Sequence, residues 1–182
     1  IKSYHALVDE NVLGIGIMAF IQVSLVRQIN NSIENFKERE LINEYKNHPF
    51  KDWSGATWPP NIVPTFLWDL VGGYSIEFSP GMYSDPDFSM KLFKAGVRNF
   101  KGIAQSRAYH FGSKSVNRVK KNKGYYQFVN KWGYTSSLLT KHILKRGEKY
   151  VGLLSDQFKI KKYLQFKATI NRFIANLYRE SI

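Results

Sequence analysis

The stretch from Ser84 to Gly96 sets the tightest limit on the fold of this chain. Asp85 stands directly before Pro86. A short side-chain acceptor followed by a ring that locks φ near the helical value suits the cap and first position of a helix. Phe88, Leu92 and Phe93 then recur at helical spacing, and Gly96 is the residue type favoured just past a helix end. A helix over residues 87–94 is predicted, with a short strand over 97–103 behind it. The chain is expected to be α/β.

Upstream, residues 12–26 form an apolar run rich in β-branched side chains and interrupted by Gln22. At about 15 residues it falls short of the roughly 20 that a bilayer-spanning helix needs, so it reads as a core strand or helix. Asp9 and Glu10 precede it and no small-residue cleavage site is clear, which argues against a signal peptide. Residues 32–41 alternate in charge and read as helix or loop. From Ser136 onward the chain turns helical and basic. Phe158, Tyr163, Phe166, Ile170, Phe173, Ile174 and Leu177 mark one apolar face, with Lys159, Lys161, Lys162, Lys167, Arg172 and Arg179 largely elsewhere, the pattern of a helix lying in a membrane surface or packed on the protein's own core.

Charge narrows the partners. A formal net charge of +13 over 182 residues favours polyanions: nucleic acid, a nucleotide diphosphate or an anionic membrane surface. The absence of cysteine excludes disulfides, thiolate zinc sites and cysteine nucleophiles, and suits a reducing compartment.

Between Trp53 and Gly133 the chain is dense in Gly, Pro, aromatics and isolated carboxylates, the texture of a site built on loops. Ser54-Gly55-Ala56-Thr57-Trp58, Trp68-Asp69-Leu70-Val71-Gly72-Gly73-Tyr74, Ser84-Asp85-Pro86-Asp87-Phe88, Gly96 and Tyr109-His110-Phe111 follow one another there. This series resembles the acceptor-side, C-terminal half of family 2-like glycosyltransferases of the GT-A type. In that family a small-residue "SGA" segment, a "VGGF"-like turn, an acidic "EDxD" motif opening a helix, a Gly ending it and a strand-terminal His occur in this order. Phe128-Val129-Asn130-Lys131-Trp132-Gly133 is similar to the "F-x-x-KWG" that follows in many members. Ser84 stands where the family usually has the Glu of its acidic pair.

The resemblance implies a partial GT-A-type mixed sheet with flanking helices over residues 1–135, and a basic amphipathic helical extension over 136–182. It implies transfer of a sugar from a nucleotide-sugar donor to a hydroxyl of a glycan or lipid-linked acceptor, with inversion, in surface polysaccharide or glycolipid synthesis. The expected location is cytoplasmic, peripheral at the inner face of the plasma membrane. No Asp-x-Asp metal motif or strand-Gly-helix unit for the donor is found, so the chain is expected to be a fragment or truncated product that does not turn over by itself.

Residue by residue, the resemblance points to Asp85 as the general base that takes the acceptor proton, although the same place suits a helix cap. Asp87 is either an acceptor-binding group or a first-turn complement to the helix dipole. His110 is expected to help hold a divalent ion, Mn or Mg, that bridges the diphosphate. Gly72 and Gly73 permit either close backbone approach to a sugar or merely a turn between helix and strand. Trp58 suits stacking on a sugar or base face, or the core. Lys114 and Arg118 lie in a basic loop able to meet the diphosphate. The rival is a non-catalytic basic module for nucleic acid or anionic lipid, with the aromatics from Tyr125 to Trp132 as its platform. No recognised nucleic-acid motif accompanies them, and nucleic acid is not expected as a partner.

Overall fold

A computed structural model of the chain describes residues 17–22, 37–47, 51–79, 82–108, 123–156 and 160–179. Four strands, β1 (Ile17–Gln22), β2 (Trp53–Ser54), β3 (Asn61–Ile62) and β4 (Phe100–Ala108), form one mixed sheet in the order β2-β4-β1-β3. β1 runs parallel to β4 with Ile17 opposite Phe100, while β2 is antiparallel to β4 and β3 to β1. The middle of the long apolar run is thus a strand paired on both edges, which is where a near-continuous apolar sequence belongs.

Six helices accompany the sheet among the described residues: α1 (Glu38–Asn47), α2 (Thr65–Val71), α3 (Ser84–Lys94), α4 (Gly124–Trp132), α5 (Ser136–Leu138) and α6 (Lys162–Arg179). A 3-10 turn at Ile76–Phe78 follows α2, and a π-helical turn at Leu139–Ile143 continues α5. The architecture is mixed α/β, as expected. The strand expected over 97–103 instead begins at Phe100. Residues 96 and 97 are engaged in ending α3: the Gly96 N–H donates to the Phe93 carbonyl and the Val97 N–H to the Leu92 carbonyl. That pair of bonds is the Schellman arrangement, and it requires the left-handed backbone that Gly96 adopts at φ +96°.

α3 is the hub of the core. Phe88, Met90, Leu92 and Phe93 are buried against Phe78, Phe100 and Phe128, and Leu138, Leu139, Ile143 and Leu144 complete the same cluster. Each such side chain contributes on the order of 1.5–3 kcal/mol by leaving water. The chain after residue 144 returns to the sheet. The Ser54 N–H donates to the Glu148 carbonyl, the Gly147 N–H to the Ser54 carbonyl, and Trp53 bridges to Lys149, so the exposed edge of β2 is covered. α6 then lies on α4, with Ala168 and Ala175 buried and Tyr178 stacked on Tyr126 at 4.6 Å.

Candidate functional site

The opening of α3 gathers the segments singled out in the sequence. Tyr83, at φ +83°, is its cap residue, and the Tyr83 carbonyl accepts the first intrahelical bond from the Asp87 N–H at 3.1 Å. The expectation that Asp85 caps the helix and Pro86 opens it is therefore corrected: the helix starts earlier, with Ser84 and Asp85 inside its first turn. The proline falls among the first amides, which have no intrahelical partner, so its missing N–H costs no bond. The half-buried Asp85 carboxylate sits where the helix dipole favours negative charge.

Four polar side chains are linked at this opening: Thr57, Ser89, Asn61 and Tyr74. The Thr57 hydroxyl donates to the Asp85 carbonyl at 2.8 Å and lies 2.7 Å from the Ser89 hydroxyl, which also accepts the Thr57 N–H at 3.0 Å. The small-residue segment is thereby stitched to α3. The Asn61 amide donates to the Thr57 carbonyl at 2.9 Å and to the Tyr74 hydroxyl at 3.3 Å. Burial pushes the Tyr74 phenol upward, the Asn61 amide pulls it back, and the negative charge of Asp85 adds to the rise. The carboxylate and the phenol therefore share one neighbourhood.

Asp87 lies beneath, fully buried. It accepts from the Ser75 hydroxyl at 2.6 Å and the Trp132 indole N–H at 2.8 Å, and pairs with the Lys131 ammonium at 2.9 Å. These contacts come from three residues of two other segments, a clamp that neither reading of Asp87, dipole complement or acceptor binding, included. Lys131 also holds Glu77 at 2.7 Å. The Lys131 bond holds the Glu77 carboxyl below the ordinary carboxylate range. Burial presses the Lys131 ammonium down, but Glu77 and Asp87 outweigh it and raise it above the ordinary lysine value. Lys131-Trp132-Gly133 thus acquires a physical role: a cation and an indole clamp the buried carboxylate, and Gly133, at φ +70°, ends α4 directly behind them. In the sequence Lys131 had no assigned task, and Trp132 figured only among the aromatics of a nucleic-acid platform.

Gly72 and Gly73 take φ values of +69° and +56° and turn the chain from α2 into the 3-10 segment, not into a strand. The close approach that Gly73 permits is to Trp68, whose ring atom Cζ2 lies 2.5 Å from where a Cβ would stand. The Gly73 carbonyl accepts from Lys91 at 2.7 Å. Trp68 in turn meets Tyr74 and Phe88 edge-on at 5.3 and 5.2 Å. Trp58 is half-buried against the core, and the Arg146 guanidinium lies 4.7 Å from its ring centroid. His110, Lys114 and Arg118 lie outside the described residues. Among the described residues no three His, Asp or Glu side chains come together as a metal site. Asn61 and Tyr74 went unassigned in the sequence, Asn61 because nothing in its context beyond Pro59-Pro60 marks it.

Compared with known proteins, the chain matches no family model, no curated protein and no solved structure at a significant level.

Proposed function

We propose that this chain is the acceptor-side part of a GT-A-type, family 2-like glycosyltransferase, with Asp85 as general base. The observation that supports it is convergence at and beneath one helix opening: Thr57 and Tyr74 beside Asp85, and Ser75, Lys131 and Trp132 under Asp87. Segments far apart in the chain meet there.

In the transfer, the acceptor hydroxyl gives its proton to the Asp85 carboxylate as its oxygen bonds to the anomeric carbon. The bond from that carbon to the phosphate oxygen breaks, its electron pair leaves with the nucleoside diphosphate, and the configuration inverts. Tyr74, whose phenol feels the Asp85 charge, and Asn61, bonded to that phenol, are the hydrogen-bonding groups at hand to orient an acceptor sugar. Lys114 and Arg118 are proposed to meet the diphosphate. His110 would hold a divalent ion, Mn or Mg, which when bound neutralises charge on the departing diphosphate. That assignment rests on the resemblance alone, and no step here depends on it. The proposed setting is surface polysaccharide or glycolipid assembly on the cytoplasmic side.

The test is a panel of nucleotide sugars offered to the protein as its gene encodes it, with nucleoside diphosphate release as readout. Asp85→Asn is expected to lower transfer by about 10²-fold or more while the thermal midpoint and donor binding stay near those of the parent. Undiminished transfer by this variant removes the assignment.

A further inference from the structure

α6 attaches to the body of the protein by its small residues and turns its large ones outward. Ala168 and Ala175 are its buried positions, and Leu164 is half-buried beside them. Phe166, Phe173 and Leu177 are 68%, 65% and 56% exposed, and Tyr163, Ile170 and Ile174 are exposed as well. At the helical angle per residue, these six fall within an arc of about 100° on the side away from the alanines. Lys162 and Lys167 stand at its two edges, both exposed. Contiguous apolar surface of this kind on a described helix calls for something to cover it.

Charge identifies the cover. No acidic residue occurs anywhere over 157–179, whereas Lys159, Lys161, Lys162, Lys167, Arg172 and Arg179 do. A second copy seated face to face would bring the edge lysines of both helices together, and like charges across an interface oppose association. An anionic bilayer satisfies both features, since rings and aliphatic chains enter the acyl boundary while the lysines reach back to the headgroups. No described helix is long and apolar enough to cross a membrane. We propose that α6 docks in the plane of an anionic lipid surface through its Phe166–Phe173–Leu177 face.

The position of α6 gives this docking a consequence for the rest of the molecule. A cavity of about 320 Å³ is lined by Tyr83, the cap of α3, and by Lys167 and Asn171 of α6. The lipid-facing helix and the cap residue of α3 therefore border one space. Docking itself does not rest on the glycosyltransferase reading, and its test does not measure transfer.

The full chain is sedimented with vesicles of phosphatidylcholine, with and without phosphatidylglycerol. Binding is expected only with phosphatidylglycerol and should weaken as salt rises. Joint Phe166→Ser and Phe173→Ser substitution, at sites the fold does not bury, is expected to lower the partition coefficient by about tenfold or more. Joint Lys162→Gln and Lys167→Gln substitution should lower it on anionic vesicles by a similar factor. Circular dichroism and the thermal midpoint establish that both variants remain folded. The proposal is overturned by absence of binding to the anionic vesicles, by binding that neither pair alters, or by a solution dimer that the phenylalanine pair dissociates.

Discussion

Gly72 and Gly73 both occupy the left-handed region, yet only one of them is also confined by a neighbour. A Cβ on Gly72 would meet nothing within 4 Å, whereas one on Gly73 would stand 2.5 Å from the Trp68 ring. Gly72→Ala is therefore expected to cost about 1–2 kcal/mol from backbone strain alone. Gly73→Ala adds displacement of an indole, a further 1–3 kcal/mol or so. Urea unfolding of the two variants should separate them, and only Gly73→Ala should shift Trp68 fluorescence. Equal losses would mean that the ring moves aside freely. Gly102 on β4 obeys the same logic from the strand side: it faces Trp53 in register, and a Cβ there would lie 1.9 Å from the Trp53 indole. Neither contact is visible in the sequence, because a glycine announces that backbone freedom or space is needed and not which side chain fills the space. Gly96 was readable for the opposite reason: the carbonyls that it and Val97 bond, those of Phe93 and Leu92, lie within the helix it ends.

At the scale of elements, the clamp of α4 on α3 joins a buried carboxylate to groups from two other segments, Ser75 before the 3-10 turn and Lys131-Trp132 at the end of α4. Removing one donor from a buried ion costs more than the bond was worth, because the charge remains. Trp132→Phe, which keeps the ring and deletes the N–H, is expected to destabilise by about 2 kcal/mol. The Glu77–Lys131 pair adds a pH dependence whose sign follows from the two displacements. Glu77 is depressed below 4.5 in the folded protein, so its contribution is present above that value and is lost as pH falls through the folded pKa. Lys131 is raised above 10.5, so its contribution is complete below that value and is lost as pH rises through the folded pKa. Thermal midpoints measured between neutral pH and pH 3 or so should fall in the parent protein. In Glu77→Gln that acid limb should be shallower. Superimposable acid limbs would show that the pair carries no net stability. The body and end of helix α3 were legible because Phe88, Leu92, Phe93 and Gly96 state their period locally, whereas the strand after it was placed three residues too early. The start of α3 was not legible, since the bond that decides it depends on a left-handed Tyr83, a conformation unusual for a tyrosine and held among the rings of Tyr125 and Phe128.

For the whole molecule, the question is how the basic C-terminal region relates to the rest, and two boundaries compete. The sequence changes character at residue 136, where motif-rich loops give way to helical, lysine-rich chain. Burial follows a different line. Leu138, Leu139, Ile143 and Leu144 sit in the same cluster as Phe88 and Phe128, and residues 147–150 hydrogen-bond to the edge of the sheet. Composition tracks what faces water, so lysines at exposed positions mask four leucine and isoleucine side chains that complete the core. α6 is different, because it buries mainly two alanines and leaves its large side chains outside. Ending the chain after Asp156 is thus expected to lower the unfolding midpoint while preserving a single cooperative transition. Ending it after Thr135 removes core side chains and the cover of β2 together, and is expected to abolish cooperative unfolding. Scanning calorimetry of both truncations decides between the boundaries. A cooperative transition in the shorter one would place the edge of the folded unit at residue 135, and loss of cooperativity in the longer one would make α6 part of the core.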